Sequence, residues 1–444
     1  MVRMPHAAHA ARASAHLPRW VGWLVAAIAG AGVALALAWA FAAPGDSTTI
    51  AEPSASVTPS PSPPALSPTP SPTPEPTIPT VEFTLVAAGD VLTHVPVNQS
   101  ATSGGALDYS PLMAGIDPYV AGADLAICHL EVPIAPAGQS PSGYPMFAAP
   151  AELVRDIAEA GWDGCSQASN HSVDRKFAGV VTTLDYFDAY RLGFAGTART
   201  AEEAAKVQLY SVREGSRVIK VANISFTYGL NGLPMPSEAP WAVNVFNANA
   251  ADAAPIIAAA QEARAQGADV VVASVHCCVE YQTAPTAAQR SLVEQIAASG
   301  TVDLYVGHHA HVPQPIELLP GGPQGEGMWA AFGLGNYISN QDTQCCAAQT
   351  NSGVLLTATF SVDPESNVDV GVEWTAVTVD RLNRHTMYVL REVPDGAGKL
   401  SAAEVQARLS RVADAVGPQA PERVTPPPSL ADAAYVDPRK PWSP

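Results

Sequence analysis

The sequence predicts an α/β fold, a largely parallel sheet flanked by helices and closed by a second, more antiparallel sheet. Three observations point there. Between residue 81 and about residue 310, short apolar runs alternate with segments of helical period, as strands joined by crossover helices do. Residues of ligand type recur where those apolar runs stop, which is where open α/β sheets keep their sites. Beyond residue 328 the apolar runs follow one another with no helix between them, the habit of antiparallel strands.

In chain order, 81–90 (VEFTLVAAGD) is a strand ending in Gly89-Asp90, with His94 in the loop that follows. Residues 110–121 suit a helix, and 125–131 (LAICHLE) form a strand closing on His129 and Glu131. A helical pattern over 150–161 precedes 163–169, which lead into Asn170-His171-Ser172-Val173-Asp174. A helix is predicted over 179–192, a short strand and turn at 193–196, and a strand at 217–226. Helix 250–266 runs into a strand that ends on His276, and helix 284–299 into a strand that ends at Gly307. Later strands are expected at 328–334, 354–360, 370–379 and 387–391. Ala403, Val405, Leu409 and Val412 give 401–416 one apolar helical face. The proline-rich tail from Gly417 onward is expected to be weakly ordered.

Upstream, residues 1–19 carry Arg3, Arg12 and Arg19 and no acidic residue, while the 24 residues 20–43 carry no charge. As a helix the uncharged run spans about 36 Å, enough for a hydrocarbon core of about 30 Å. The basic flank predicts a membrane anchor with 1–19 in the cytoplasm and the body outside. Small residues at 40–43 leave a cleaved signal peptide, and secretion, as the alternative. Residues 44–80 form a Pro/Ser/Thr-rich tract, a disordered polyproline-II-like spacer. At ~3.1 Å per residue it holds the 81–395 domain about 100 Å from the membrane. Residues 396–444 supply the last helix and the tail.

Lys and Arg number 23 against 41 Asp and Glu, a net charge of −18. That balance argues against nucleic acid as a partner, because phosphate backbones need a basic footprint. An anionic substrate would need a local positive site, which bound metal ions can supply.

Three of the eleven histidines, His308, His309 and His311, fall within four positions after a strand. His309 and His311, two apart, can send two imidazoles into one cleft, although a polar loop with surface histidines has the same sequence. Further candidates stand at other strand ends: Asp90 with His94, Glu131, Asn170-His171 and His276. Carboxylate, amide and imidazole together suit Mn, Fe or Zn. Two such ions about 3.5–4 Å apart can clamp the attacking and leaving oxygens of a phosphoester. The six cysteines of an exported chain favour disulfides, with Cys128 to Cys165 and the Cys277-Cys278 doublet to Cys345-Cys346 as the expected pairing. A thiolate metal site is the alternative.

Six segments then resemble one family in order: GDVLTH (89–94), HLE (129–131), SNHSVD (169–174), HCCVEY (276–281), GHHAHV (307–312) and GLGNYISNQ (333–341). Over roughly 83–345 the chain is similar to the CapA family of poly-γ-glutamate capsule synthesis proteins, which share the calcineurin-like metallophosphoesterase fold. The resemblance implies a four-layer α-β-β-α sandwich of metallophosphoesterase type and two divalent ions. Asp90 and His311 would hold the first ion, with His94 as a further ligand. Asn170, His276 and His309 would hold the second, and Glu131 would bridge. His171 would protonate the leaving group, while Asp174 and Glu280 orient imidazoles; His308 has no ligand role. The chain departs from the family pattern at His129, where Asn is usual, at Cys277-Cys278, where Trp-Gly usually follows the histidine, and in the wide spacing from Asp90 to His94.

The function expected is that of a membrane-tethered, extracytoplasmic metal-dependent hydrolase acting on an anionic envelope polymer or phosphoester. Synthesis, export or anchoring of a poly-γ-glutamate-type polymer is the alternative, as is non-catalytic polymer binding.

Overall fold

The computed structural model describes residues 78–440, all within the unit Pro74–Pro444. The anchor predicted at 20–43 and the spacer before residue 78 lie outside the described residues. Among the described residues no helix is long and apolar enough to cross a membrane.

Strand β1 (Val81–Val91) is followed by α1 (Val95–Ala101), β2 (Leu125–Leu130), α2 (Glu152–Glu159), β3 (Gly164–Ser166), α3 (Lys176–Ala189) and β4 (Gly193–Ala195). Strands β1, β2, β3 and β4 are parallel neighbours in that order. A second set opens with the hairpin β5 (Gln208–Glu214) and β6 (Arg217–Thr227), then α4 (Ala254–Ala265), β7 (Val270–Cys277), α5 (Ala287–Ala298) and β8 (Leu304–His309). There β6, β7 and β8 are parallel. The β7 sequence VVVASVHC is buried throughout, as expected of a β-branched run covered on both faces.

The late strands were expected to make a sheet of their own, and they do not. β9 (Ile316–Leu319) and β10 (Met328–Ala331) extend the second sheet beside β8. β11 (Asn336–Ile338) pairs in parallel with the end of β1. β12 (Ser352–Val362), β13 (Val368–Asp380) and β14 (Thr386–Val389) form an antiparallel wing on β1. Each sheet is therefore mixed, with a parallel centre and antiparallel edges.

Alternation sets the layers. Val81, Phe83, Leu85 and Ala87 of β1 share one core with Tyr210, Val221, Val270, Val272, Leu304 and Val306 of the second sheet. The opposite faces of the sheets pack on helices, α2 and α3 outside the first and α4 and α5 outside the second. Helix α6 (Ala402–Val416) starts at Ser401, whose hydroxyl accepts from Glu404 N–H, and seals the inter-sheet core with Val405, Leu409, Val412 and Val416. Helix 110–121 is broken into Ser110–Met113 and Asp117–Ala121, with Gly115 between them.

The tail is ordered, against the reading of its prolines. Ser429 Oγ, Leu430 N–H and Ala431 N–H donate to the Asp124 carboxylate, and β15 (Asp432–Asp437) then pairs antiparallel with β5. Arg439 is buried, donates to Phe194 O and Thr197 O, and lies 4.9 Å over the Phe194 ring. Side-chain anchors replace the donors that proline lacks.

Candidate metal centre

The site lies where the carboxyl ends of the two parallel centres meet. Asp90 at the end of β1 is in register with His129 on β2, and His276 on β7 with His308 on β8. Two glycines permit the crowding. A Cβ on Gly89 would sit 2.0 Å from Gly335 O, and one on Gly307 1.9 Å from Phe332 O. The loop leaving β8 is itself strained. His309 (φ 81°) and His311 (φ 56°) occupy left-handed backbone, a conformation that costs a non-glycine residue about 1–3 kcal/mol and gathers at functional sites.

Two buried groups of ligand-type atoms result: Asp90, His129 and His308, and Glu131, His309 and His311. Within each group the ligand atoms lie within 4.8 Å of one another. Neither contains a cysteine. Asp90 Oδ2 is 3.0 Å from His311 Nδ1, and its Oδ1 is 3.5 Å from His308 Nδ1. Glu131 Oε1 lies 3.8 Å from both His276 Nε2 and His311 Nε2. His276 Nε2 is 2.9 Å from Asn170 Oδ1, and its Nδ1 is 2.9 Å from His129 Nε2. His129 Nδ1 in turn is 2.7 Å from Ser166 Oγ.

Among the described residues, many of these buried atoms have no hydrogen-bond partner: both oxygens of Glu131, both ring nitrogens of His308, and Nδ1 of His309. Burying unpaired polar atoms costs about 1–3 kcal/mol each, and their convergence from separate strands is the pattern a divalent ion would satisfy. The donor set, carboxylate oxygen with imidazole nitrogen, fits Mn, Fe or Zn.

The electrostatics agree. Burial raises the Glu131 carboxyl well above its usual range, with Asp90 adding to the shift and His311 opposing it. Burial alone would lower His311, but Glu131 and Asp90 hold it at about 9. Burial likewise works against charge on Asp90, yet contacts from His308 and His311 keep it well below the ordinary carboxylate range. Burial, then the neighbouring imidazoles, lower His276 and His129 and bring His309 to about 3. Glu131 and His311 thus favour holding protons, and a bound cation works against those protons.

Most residues predicted for the site converge there, but their grouping differs from the expected one. Asp90 keeps the expected contact with His311 at 3.0 Å and also stands with His129 and His308, while His309 and His311 share a group with Glu131. His276 and Asn170 contact each other beside these groups. His308, expected to have no role, is 2 % exposed and stacks on His129 at a centroid distance of 4.0 Å. Strict alternation along β8 would turn His308 away from the side that carries His309; the left-handed turn at His309 breaks that alternation. His129 and His308 are thus the residues sequence reasoning missed. Their signal was their place at strand ends, His129 on β2 of the first sheet and His308 on β8 of the second.

His171 and Asp174 are close partners. His171 Nδ1 is 2.7 Å from Asp174 Oδ2, which also accepts from Phe147 N–H, and Asn231 Nδ2 donates to Asp174 Oδ1 at 3.2 Å. Asp174 is buried rather than solvated. Glu280 stands at the rim, its side chain 41 % exposed, with Oε1 3.9 Å from His311 Nε2. His94 stands apart from both groups, with Nδ1 near Leu92 O and Asn340 N–H. Burial lowers its imidazole to about 4.

A cleft of about 800 Å³ opens over the centre, walled by Tyr144, Phe147, Tyr228 and Tyr281 and floored by His171, His309 and His311. Cys128 and Cys165, in register on β2 and β3, form the expected disulfide. The doublets do not pair with each other: Cys277 bonds to Cys278 and Cys345 to Cys346. Cys277 points into the outer core between β7 and its helices, while Cys278 and the 345–346 doublet line the cleft.

The profile of the bacterial capsule synthesis protein PGA_cap family matches residues 84–341. The chain belongs to this family. It is 24% identical over 265 residues to "Capsule biosynthesis protein CapA" of Bacillus anthracis, covering 59% of this chain and 60% of that one. It is 28% identical over 191 residues to "PGA biosynthesis protein CapA" of Bacillus subtilis (strain 168), covering 43% and 46%. The matched region thus spans about half to three-fifths of these family members' length. The calcineurin-like phosphoesterase YfkN from Bacillus subtilis superposes with a TM-score of 0.34 and 13% identity, over 75% of this chain and 97% of that one. A likeness at that score carries no argument. The PGA_cap match contains every member of both ligand groups.

Proposed function

We propose that the protein is a divalent-metal-dependent hydrolase of the cell envelope, built on a metallophosphoesterase-type sandwich and acting on a phosphoester or an envelope polymer. The observation that carries this reading is the pair of buried ligand groups whose Glu131, His308 and His309 atoms lack hydrogen-bond partners among the described residues. Two bound ions would supply a water nucleophile at neutral pH and a positive clamp on the oxygens of the scissile group. Asp90, His129 and His308 would hold one, Glu131, His309 and His311 the other, with His276 and Asn170 beside them.

The chain's own groups do the rest. Asp174 holds one proton of His171 on Nδ1, so that the doubly protonated ring can give its second proton, from Nε2, to a leaving oxygen in the cleft and return to the neutral form. A series of close contacts from Ser166 through His129 to His276 and Asn170 orients these rings. Tyr228, 4.6 Å from the His309 ring, shields that imidazole from water. An extracytoplasmic site tethered through 20–43 agrees with three disulfides.

Family membership favours a second reading: a part in synthesis, export or anchoring of a poly-γ-glutamate-type polymer, with or without catalysis. One experiment separates the two. Bound metal is measured on the purified chain, and a phosphodiester panel and poly-γ-glutamate are assayed with the parent and with His276→Ala. Turnover that falls together with metal in the variant supports the hydrolase. A metal-loaded parent inert on every phosphoester moves the assignment to the polymer.

A further inference from the structure

Four aromatic rings and several uncharged polar groups line the cleft over the metal centre, with no lysine or arginine among them. A polyanion lying there would meet Glu280 and find no cation beyond the metal centre itself. Among the described residues no two of the four rings stack on each other; three of them pack instead on three different histidines of the site. Phe147 stands edge-on to His171 at a centroid distance of 4.7 Å, Tyr228 lies 4.6 Å from His309, and Tyr281 lies 6.0 Å from His311. Tyr144, the fourth, leaves 80 % of its surface exposed.

The amides on the same walls keep hydrogen-bonding capacity. Asn340 accepts at Oδ1 from Arg381 and His385, which leaves its Nδ2 as a donor. Asn231 donates from Nδ2 to Asp174 and to Pro145 O, which leaves its Oδ1 as an acceptor. Asn231 (φ 53°) and Tyr281 (φ 62°) occupy left-handed backbone, as His309 and His311 do, and Tyr281 N–H donates to Ala310 O in the ligand loop. The walls and the ligands are thus set by the same kind of strained backbone, which gathers at functional sites.

We propose that the cleft holds a neutral carbohydrate chain, its rings lying on the tyrosine faces and its hydroxyls on the free amide groups, as the part of the substrate that flanks the metal centre. The inference rests on the hydrolase reading and adds a substrate class to it. The C–H face of a sugar is weakly positive and suits the negative face of an aromatic ring, while each tyrosine keeps a hydroxyl for a polar partner. A sugar hydroxyl both donates and accepts, as does the set formed by Asn340 Nδ2, Asn231 Oδ1 and the phenols. A cleft of about 800 Å³ is in the upper part of the usual range for ligand sites, which suits more than one sugar ring.

The test is calorimetric titration of chitotetraose, cellotetraose and mannotetraose into the full chain, loaded with Mn²⁺ and after chelation. At least one tetrasaccharide is expected to bind, with the same affinity in both states and little change between about 50 and about 500 mM salt. Tyr144→Ala is expected to weaken it about three- to tenfold, and Tyr144→Trp to restore it to within about twofold. Metal content and melting temperature stay at parent values in both variants, because the Tyr144 ring is exposed. A parent that binds the sugar but turns over no phosphoester keeps the carbohydrate site and removes the hydrolase reading; one that turns over phosphoesters but binds no tetrasaccharide does the reverse. Tyr144→Ala binding like the parent also overturns the inference. So does stronger binding of a nucleoside monophosphate, or of an acidic peptide, than of the tetrasaccharide to the chelated protein.

Discussion

His129 Nε2 stands 2.9 Å from His276 Nδ1, so that one imidazole from each sheet shares a proton across the seam. Ser166 stands behind His129 and Asn170 ahead of His276, so four side chains form one continuous series of contacts. It locks two rings that would otherwise rotate, and it ties the sheets together where the ligands converge.

His129→Ala is therefore expected to cut metal affinity about 10- to 100-fold, the usual cost of losing a group that orients or supplements the ligands. Titration with Mn²⁺ followed by calorimetry measures it. Unchanged affinity would remove His129 from the centre.

His308→Gln separates the observed grouping from the expected one. If His308 completes the Asp90 group, the variant loses about one bound ion per chain by elemental analysis. Full occupancy would return His308 to the role of bystander.

Asp174→Asn leaves the metals in place and loosens His171. A fall in kcat of about 10²- to 10⁴-fold on any substrate the parent turns over is expected, with metal content unchanged. A drop in bound metal instead would show that Asp174 supports the centre as a whole.

A pH effect is expected outside the site. Burial raises the Asp163 carboxyl to about 7 from a usual 3.8. A raised carboxyl costs nothing while it is protonated in both states, and it destabilises the fold as pH climbs from about 4 to about 7. Asp163→Asn keeps the acceptor for Ala126 N–H and should stabilise the protein by about 1–3 kcal/mol at pH 8 but not at pH 4. Denaturant unfolding at the two pH values checks this; equal effects at both would contradict it.

Cys128→Ser/Cys165→Ser opens a link spanning 37 positions. A loss of about 2–4 kcal/mol in non-reducing denaturant unfolding is expected.

Strand ends were readable in sequence because β-branched runs stop abruptly at polar residues, as in VVVASVHC before Cys278. Asp90, Glu131, Asn170, His276, His309 and His311 were found that way. The grouping was not readable, since it depends on which strands are neighbours and on the left-handed turn at His309. The ordered tail was missed because its anchors, Asp124 and the pocket around Arg439, lie more than 230 positions upstream. The doublet pairing was missed because adjacent cysteines can close on themselves, and because Cys277 is committed to the core.

The central claim is that the two buried groups hold divalent ions. Its most direct test is elemental analysis of the full chain after chelation, reloading with Mn²⁺ and desalting, for the parent and for Asp90→Asn/Glu131→Gln. About two ions are expected per parent chain and few or none in the double variant, with proton release on reloading as His311 takes up a cation neighbour. A folded parent that retains no metal, or a double variant that retains as much as the parent, would contradict it.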